Sequence, residues 1–322
     1  MPKNDVIWHY CSLETFQKVI ETRSFRLSEV TKSNDYLEIK WARNLFSSMV
    51  ESYFWGQSIN DNCEHLASIF DIAKNRLKQT NLYCFALCFT TLRDDLHCWQ
   101  SYANNGNGIS IGIKQAALED FNINSALFDK SKKSTLKYYT SVIYDKDALM
   151  TETEKIVNSA LDGFEKIKNK YLSDNYEAND KTEEELSCDL DGLLNDIIID
   201  SLLIFPKYKN PAFKIEQEQR IVVISLMYSA FMQGLLKKDA QLNCELIGES
   251  FAVETIPQFQ VKNNCLVPYM NMRINQTLDN VITELVVGPK CNVSIEELLS
   301  YSHFQGLYLT DKQVSKSLAS YQ

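Results

Sequence analysis

The feature that most constrains the fold is a short apolar run from Leu82 to Thr90. Aromatic, cysteine and alanine residues fill this run, and polar residues bound it at both ends. This composition is typical of a strand that is buried on both faces of a sheet. The run therefore predicts a sheet in which this strand is central.

Other segments alternate apolar and polar residues or are rich in β-branched and aromatic residues, which predicts more strands. These strands are predicted at Val6–Tyr10, Phe25–Val30, Ile109–Ile113, Lys137–Tyr144, Phe213–Met227, Phe251–Ile256, Cys265–Ile274 and Ile282–Val287. Helical spacing of apolar residues predicts helices after Ser12, after Asn34 or Asp35, around His65–Gln79, and from Arg93 to Ala103.

Residues 146–205 have a different pattern, with two apolar stripes at helical spacing separated by a polar stretch. Between Thr151 and Asp200 there are 14 acidic and 5 basic residues, which accounts for the whole formal charge of −9. Strand patterns resume after Pro206. We therefore predict an α+β fold with a mixed central β-sheet, flanking helices and an inserted acidic helical hairpin. Residues 1–145 and 206–322 would form one discontinuous domain, with 146–205 as the insertion.

Composition narrows the class of protein. The chain is 45% hydrophobic and has no apolar run of about 18 residues or more, and its first residues are polar. These features predict a cytoplasmic protein without a membrane segment. The negative net charge does not favour a continuous basic surface that would bind duplex nucleic acid. Nine cysteines without a repeated Cys-x-x-Cys spacing are expected to be reduced thiols.

Several common sites are absent from the sequence. There is no phosphate loop of the Gly-x-x-x-x-Gly-Lys type, no His-Glu-x-x-His and no Gly-x-Ser-x-Gly. The glycines 106, 108 and 112 lie before and within a predicted strand, whereas a dinucleotide fingerprint places them between strand and helix. Four scattered histidines give no metal-binding spacing, so we predict no metal site.

The strongest candidate site is formed by Glu216, Glu218 and Arg220, just before the apolar residues Ile221–Ile224. On a strand, the two-residue period would place these three side chains on one face. One interpretation is an ordinary strand end with an arginine–carboxylate pair. The other is a pair of carboxylates that bind or activate a ligand.

Two aromatic motifs add further candidates. His9 and Tyr10 end the first strand, where a histidine can be either structural or functional. Trp99 and Tyr102 are three residues apart and would share a helix face. That face either packs against the sheet or stacks on a ligand.

Several short motifs follow one another in a recognisable order. They are Trp8–Leu13, Ser33–Glu38, Cys98–Ala103 with Gly108–Gly112, Phe205–Lys207 with Asn210–Phe213 and Glu216–Arg220, and Thr283–Pro289. This order resembles a bacterial family called domain of unknown function 2971. The resemblance covers about residues 6–290, and Gln219 and Tyr36 depart from it, standing where an aromatic residue and a proline are common.

A second, more distant resemblance concerns function. A His-Tyr pair on a first strand and a Glu-x-Glu on a late strand are similar to the layout of NAD-dependent ADP-ribosyltransferases. This resemblance implies NAD as substrate, with Glu218 stabilising the developing oxocarbenium ion and Glu216 orienting or deprotonating an acceptor. His9 would bind a ribose, and Tyr10, Tyr102 or Trp99 would stack on a ring. Asn34, Asp35 and Arg220 would order the pocket or bind phosphate.

The alternatives remain open at this point. The same residues could form a sensor that binds a nucleotide or a partner without turnover. A nuclease is disfavoured by the acidic balance and by the lack of a metal-binding constellation. As a transferase, the protein would modify a protein or nucleic-acid acceptor. It would then act as a bacterial toxin or a phage-defence effector. The sequence does not predict an oligomeric state.

Overall fold

The structure is a computed structural model, and it describes residues 6–30, 38–55, 61–79, 84–118, 121, 135–171, 180–225, 244–247, 249–254, 256–262 and 264–319. The chain forms two compact units. The first unit contains residues 1–34, 83–142 and 213–322, and the second contains residues 35–82 and 143–212. The second unit thus includes the predicted insertion and also residues 35–82.

Unit 1 is built on one sheet. Its described strands are β1 Val6–Ser12, β2 Ser24–Glu29, β3 Cys84–Thr90, β4 Gly108–Lys114, β5 Thr135–Ser141, β6 Glu218–Ser225, β7 Cys244–Ile247, β8 Phe251–Glu254, β9 Gln258–Lys262, β10 Cys265–Ile274, β11 Ile282–Val287 and β12 Val314–Lys316. They follow the order β12-β11-β4-β1-β3-β2-β10-β8-β7, while β6 joins β3 and β5, and β9 joins β10. All pairs of these described strands are antiparallel except β11 with β12, which confirms the predicted α+β class with a mixed sheet.

The helices are divided between the two units. Unit 1 has α1 Leu13–Thr22, α4 Leu96–Tyr102, α7 Leu278–Val281 and α8 Ile295–Phe304. Unit 2 has α2 Glu38–Trp55, α3 Asp61–Gln79, α5 Lys146–Tyr171 and α6 Asp180–Ile204. None of these described helices combines the length and the apolar composition that a membrane span requires.

Local chemistry explains where α1 and α4 begin. Ser12 accepts the backbone N–H of Thr15 at 3.1 Å, and Asp95 accepts the N–H of Cys98 at 3.0 Å. Each side chain satisfies a donor that the first helical turn leaves without a partner. Ser12 and Asp95 therefore fix where the chain enters α1 and α4.

β3 holds the centre of the sheet, as the apolar run predicts. It pairs along its whole length with β6, from Cys84 opposite Ile224 to Thr90 opposite Glu218. Its other edge is shared, because β2 pairs with Phe85 and Ala86 while β1 pairs only with Thr90. β1 and β2 therefore diverge along this edge.

The two faces of the sheet are covered differently. The larger core includes Ile7 and Cys11 of β1, Phe85, Leu87 and Phe89 of β3, Phe16 and Val19 of α1, and Leu298 of α8. On the opposite face, Trp8 and Tyr10 of β1 pack with Cys98, Trp99 and Ala103 in a smaller cluster. Alternation along β1 thus places His9 on the α1 side and Tyr10 on the α4 side.

Unit 2 consists of the four longer helices. Phe46 of α2 meets Phe205 edge to face at 5.5 Å between ring centroids. Lys170 and Tyr171 at the end of α5 both donate to Asp189 of α6 at 2.8 Å. The segment that would join α5 to α6 lies outside the described residues, and the hairpin stays a prediction.

Gly108 occupies a position that excludes a side chain. A Cβ atom there would lie 2.0 Å from the carbonyl oxygen of Cys11 on the neighbouring strand β1. The obstacle is backbone, which cannot rotate away as a side chain would. The start of β4 therefore depends on Gly108, which lets β4 pack closely against β1.

We predict that Gly108→Ala destabilises the protein by about 3 kcal/mol or more, because overpacking against backbone must displace a strand. Gly192→Ala is the matched control, since nothing lies within 4 Å of the added Cβ in helix α6. This control should be neutral or stabilising by up to about 1 kcal/mol. Urea unfolding followed by circular dichroism measures both. Equal midpoints for the two variants would contradict the close approach.

Candidate functional site

His9 lies where β1 and β2 separate along β3. Its Nδ1 is 2.9 Å from the carbonyl oxygen of Cys88, which lies between the residues of β3 that pair with β2 and with β1. A carbonyl only accepts, so Nδ1 must carry the proton and donate. Nε2 is then an acceptor, and it has no hydrogen-bond partner among the described residues.

The environment of His9 keeps the ring neutral. Phe25 and Phe89 contact it edge to face, at 5.7 and 5.9 Å between centroids. Burial lowers the pKa of His9 below its usual value of 6.5, and the hydrogen bond to Cys88 offsets only part of this effect. The imidazole is therefore suited to accept a hydrogen bond through Nε2 at neutral pH.

A cavity of about 920 Å³ opens beside His9. One side is formed by the end of β1 and by α1, including Ser12, Glu14 and Lys18, and Tyr102 also lines the cavity. The other side is formed by polar side chains of β2, β9 and β10, which we call the polar wall. The polar wall consists of Ser24, Arg26, Ser28, Gln258, Gln260, Tyr269, Asn271 and Arg273. The volume is within the range of small-molecule sites.

Register explains the polar wall. β2 and β10 are antiparallel, with Arg26 opposite Asn271 and Tyr269 opposite Ser28. Both strands alternate polar and apolar residues, so their polar side chains share one face while Phe25, Leu27, Met270 and Met272 enter the core. The polar wall was not among the predicted sites, although the alternation in Ser24–Glu29 and in Tyr269–Ile274 indicates a polar face on each strand.

Tyr102 connects the cavity to a carboxylate. Its hydroxyl donates to Oε1 of Glu216 at 2.5 Å, and its side chain is 40% exposed. Burial, followed by the hydrogen bond to Glu216, raises the pKa of Tyr102 well above its usual value. The phenol therefore keeps its proton, and His97 Nε2 lies 3.8 Å from the same Glu216 oxygen.

Glu216 does not lie on a strand, which corrects the prediction that β6 begins at Phe213. Residues Pro211–Glu216 form a 3-10 helix, and Gln217 has a φ of 44°. The left-handed residue breaks the two-residue period, so Glu216 is not placed by alternation with Glu218 and Arg220. Instead, Thr90 Oγ1 donates to the Glu216 carbonyl at 2.7 Å. Glu216 is 4% exposed and does not line the cavity itself.

Glu218 and Arg220 form a buried, bidentate pair. Arg220 Nε and Nη2 donate to the two carboxylate oxygens of Glu218 at 2.6 and 2.8 Å. Arg220 is fully buried and Glu218 is 6% exposed, and neither lines the cavity. Their alternation on β6 is as predicted, but the pair lies inside the molecule instead of near its surface. Glu218 is therefore held by Arg220, away from the cavity.

Tyr10 and Trp99 lie in the smaller core cluster. Tyr10 donates to Leu92 O and accepts from Asp95 N, both at 3.0 Å, and its ring meets Trp99 at 4.7 Å. Trp99 is fully buried and donates to Asp94 at 2.6 Å. Although Trp99 and Tyr102 are three residues apart, only Tyr102 is exposed at the cavity. Trp99 has no exposed ring face for a ligand.

The structure thus brings four of the predicted residues together: His9, Tyr10 and Tyr102 line the cavity, and Glu216 lies behind Tyr102. Asn34 and Asp35 lie outside the described residues. No group of three His, Cys, Asp or Glu residues that could hold a metal ion occurs in the described part of the chain. The seven cysteines whose side chains are described are free thiols, including the cavity residue Cys11, where burial raises the pKa to about 12.

Comparison with known proteins supports the first resemblance over part of the chain. A family model described as "Protein of unknown function (DUF2971)" matches residues 98–221. The matched range includes Tyr102, Glu216, Glu218 and Arg220, but not His9 or the polar wall. No curated protein and no solved structure matches the chain.

The buried pair gives a prediction about stability. Glu218→Gln leaves the Arg220 guanidinium buried without its counterion, so we expect a loss of about 3–5 kcal/mol in unfolding free energy. A double variant, Glu218→Leu with Arg220→Met, should recover much of this loss because no unpaired charge remains. Denaturant unfolding measures both. A loss below about 1 kcal/mol in Glu218→Gln would instead indicate a solvent-exposed pair.

His9 gives a prediction about pH. Because its folded pKa is lowered, the unfolded chain takes up a proton first as the pH falls below 6.5. Folding stability is therefore lost from pH 6.5 down toward the lowered folded value, and this contribution is absent in His9→Gln. Between pH 7.5 and pH 5.5 the unfolding free energy should fall more for the wild type than for His9→Gln. An equal fall in both proteins would contradict the lowered pKa.

Proposed function

We propose that the cavity binds NAD and that the protein is an ADP-ribosyltransferase-like enzyme. The observation that carries the proposal is the chain of contacts from the cavity through Tyr102 to Glu216, in a cavity that His9 also lines. In this arrangement Nε2 of His9 accepts a ribose hydroxyl, and the exposed ring of Tyr102 stacks on nicotinamide.

The reaction divides into bond breaking and transfer. The bond between C1′ of the ribose and the nicotinamide nitrogen breaks, and the bonding pair leaves with nicotinamide as a neutral molecule. The ribose carries the resulting positive charge as an oxocarbenium ion. A lone pair of the acceptor, a protein or nucleic-acid group, then bonds to C1′, and the acceptor releases its proton to a base.

Glu216 is the better candidate than Glu218 for the carboxylate in this reaction. Glu218 is neutralised by Arg220 at 2.6 and 2.8 Å, whereas the Tyr102 hydroxyl on Glu216 reaches the cavity. A preorganised negative charge stabilises the cationic transition state most where water is excluded, and Glu216 is buried. Because Glu216 does not line the cavity, the proton of the acceptor would pass to the Tyr102 oxygen while Tyr102 gives its own proton to Glu216.

A second function, nucleotide sensing without turnover, has its own supporting observation. Neither Glu216 nor Glu218 lines the cavity. A nucleotide could thus occupy the cavity with both carboxylates held by their partners. The sensor and the enzyme share NAD binding and differ only in whether nicotinamide is released.

We predict that the purified protein releases nicotinamide from NAD, measured by chromatography alongside NAD binding by calorimetry. Glu216→Gln should lower the rate about a hundredfold to a thousandfold, because one preorganised electrostatic contact is lost. Tyr102→Phe keeps the ring and should lower the rate more than the affinity. Glu284→Gln is the control, since this carboxylate pairs with Arg93 and does not line the cavity.

The outcomes separate the two functions. Binding of NAD without nicotinamide release in the presence of cell extract as acceptor source would favour the sensor. Full turnover by Glu216→Gln would remove this carboxylate from the mechanism. A wild-type protein that does not bind NAD would contradict both functions.

A further inference from the structure

We propose that the polar wall is a diphosphate-binding subsite, in which Arg26 and Arg273 hold the anion and the buried Glu254 positions the hydrogen-bonding groups around them. This inference deepens the proposed function, since it rests on the same cavity and assigns one end of it to the diphosphate of a nucleotide.

The two arginines are placed to act together. Arg26 lies opposite Asn271 and Arg273 opposite Ser24 in the β2–β10 ladder, so the arginines are diagonal neighbours on one face. Arg26 donates to Gln260 at 2.8 Å, and its guanidinium lies 4.6 Å from the centroid of the Tyr269 ring. Arg273 donates to Glu254 at 3.0 Å and is 58% exposed. The remaining N–H groups of both guanidiniums have no partner among the described residues.

The charge of the wall favours an anion. The wall has two positive guanidiniums and only one carboxylate, that of Glu254, beside them. On the opposite side of the cavity, Lys18 is paired with Glu14 at 2.6 Å. Guanidinium forks bind phosphate oxygens in bidentate geometry, and two neighbouring forks match two linked phosphates better than one. The volume of the cavity, about 920 Å³, leaves room for the rest of a nucleotide.

Glu254 determines how the wall presents its donors and acceptors. It is 1% exposed and accepts hydrogen bonds from Gln258 at 2.9 Å, Asn271 at 3.0 Å and Arg273 at 3.0 Å. A carboxylate only accepts, so both amides must turn their NH2 groups toward it. Gln258 Oε1 then accepts the Tyr269 hydroxyl at 2.8 Å, and Asn271 Oδ1 is left as an acceptor without a partner among the described residues.

The substitution Glu254→Gln has two effects on anion binding that are opposite in sign. If the carboxylate acts only through its charge, Glu254→Gln makes the wall more positive and strengthens anion binding. If it positions Arg273 and Asn271, the same substitution weakens anion binding, because an amide offers one acceptor oxygen where three donors need acceptors. The positioning role therefore predicts the opposite sign from electrostatics alone.

The experiment is calorimetric titration of the full chain with inorganic pyrophosphate, ADP, ADP-ribose and adenosine. We expect the three diphosphates to bind and adenosine to bind at least about tenfold more weakly than ADP, because it lacks the charge-assisted contacts. Arg26→Gln and Arg273→Gln should each weaken ADP about tenfold to a hundredfold. Arg93→Gln, an arginine outside the cavity, is the matched control and should leave ADP affinity unchanged.

Glu254→Gln should weaken ADP binding about tenfold, whereas Glu14→Gln, which removes the same charge from the opposite side of the cavity, should tighten ADP binding. If Glu254→Gln does not unfold cooperatively, Asn271→Leu replaces it, since this change removes one bond to Glu254 without altering charge and should also weaken ADP. Tighter binding by Glu254→Gln, or unchanged binding by Asn271→Leu, overturns the positioning role. Absence of pyrophosphate and ADP binding overturns the subsite.

The proposed function and the subsite fail in different ways. ADP-ribose lacks nicotinamide, so its binding does not depend on cleavage. Loss of nicotinamide release with intact, arginine-dependent ADP-ribose binding would contradict only the transferase. Turnover of NAD that is unaffected in Arg26→Gln and Arg273→Gln would contradict only the subsite.

Discussion

The shared edge of β3 is the constraint on which the rest of unit 1 depends. β2 pairs with one end of this edge and β1 with the other, so the backbone between them cannot be satisfied by a single strand. The carbonyl of Cys88 in this gap has no partner strand on this edge among the described strands, and the ring of His9 supplies its donor. The same divergence that requires this hydrogen bond also opens the cavity between α1 and the polar wall.

The two carboxylates of the Glu-x-Glu motif differ in their hydrogen-bond partners. Glu218 faces a fully buried guanidinium, and the bidentate geometry holds it in a structural role. Glu216 accepts instead from the phenol of Tyr102, and His97 Nε2 lies 3.8 Å from the same oxygen. One left-handed residue, Gln217, causes this difference, because it ends the 3-10 helix and turns Glu216 away from the strand period. The motif is thus one structural ion pair and one candidate catalytic group.

Alternation in the sequence predicts the strands that lie fully within the sheet. β10 and β11 form over the residues expected, because apolar side chains on one face reach the core at every second position. β6 begins later than expected because the positive φ of Gln217 interrupts the pattern, and β5 spans Thr135–Ser141 instead of Lys137–Tyr144. Alternation in β2 and β10 indicates a polar face on each strand, but Arg26 and Asn271 become neighbours only through the β2–β10 register, which the sequence does not show. Likewise, helical spacing cannot show that Trp99 is fully buried while Tyr102 reaches the cavity.

Net charge also gives a poor guide to what the cavity binds. The formal charge of −9 comes from residues 151–200, which belong to unit 2, so the rest of the chain is formally neutral. Exposed charges are screened over about 8 Å at physiological ionic strength, whereas a guanidinium acts on an anion in direct contact. The sign of the local field at the polar wall is therefore set by Arg26, Arg273 and Glu254. An acidic protein can in this way present a cationic surface to a phosphate, and the buried carboxylate that lowers the charge of that surface also orients its donors.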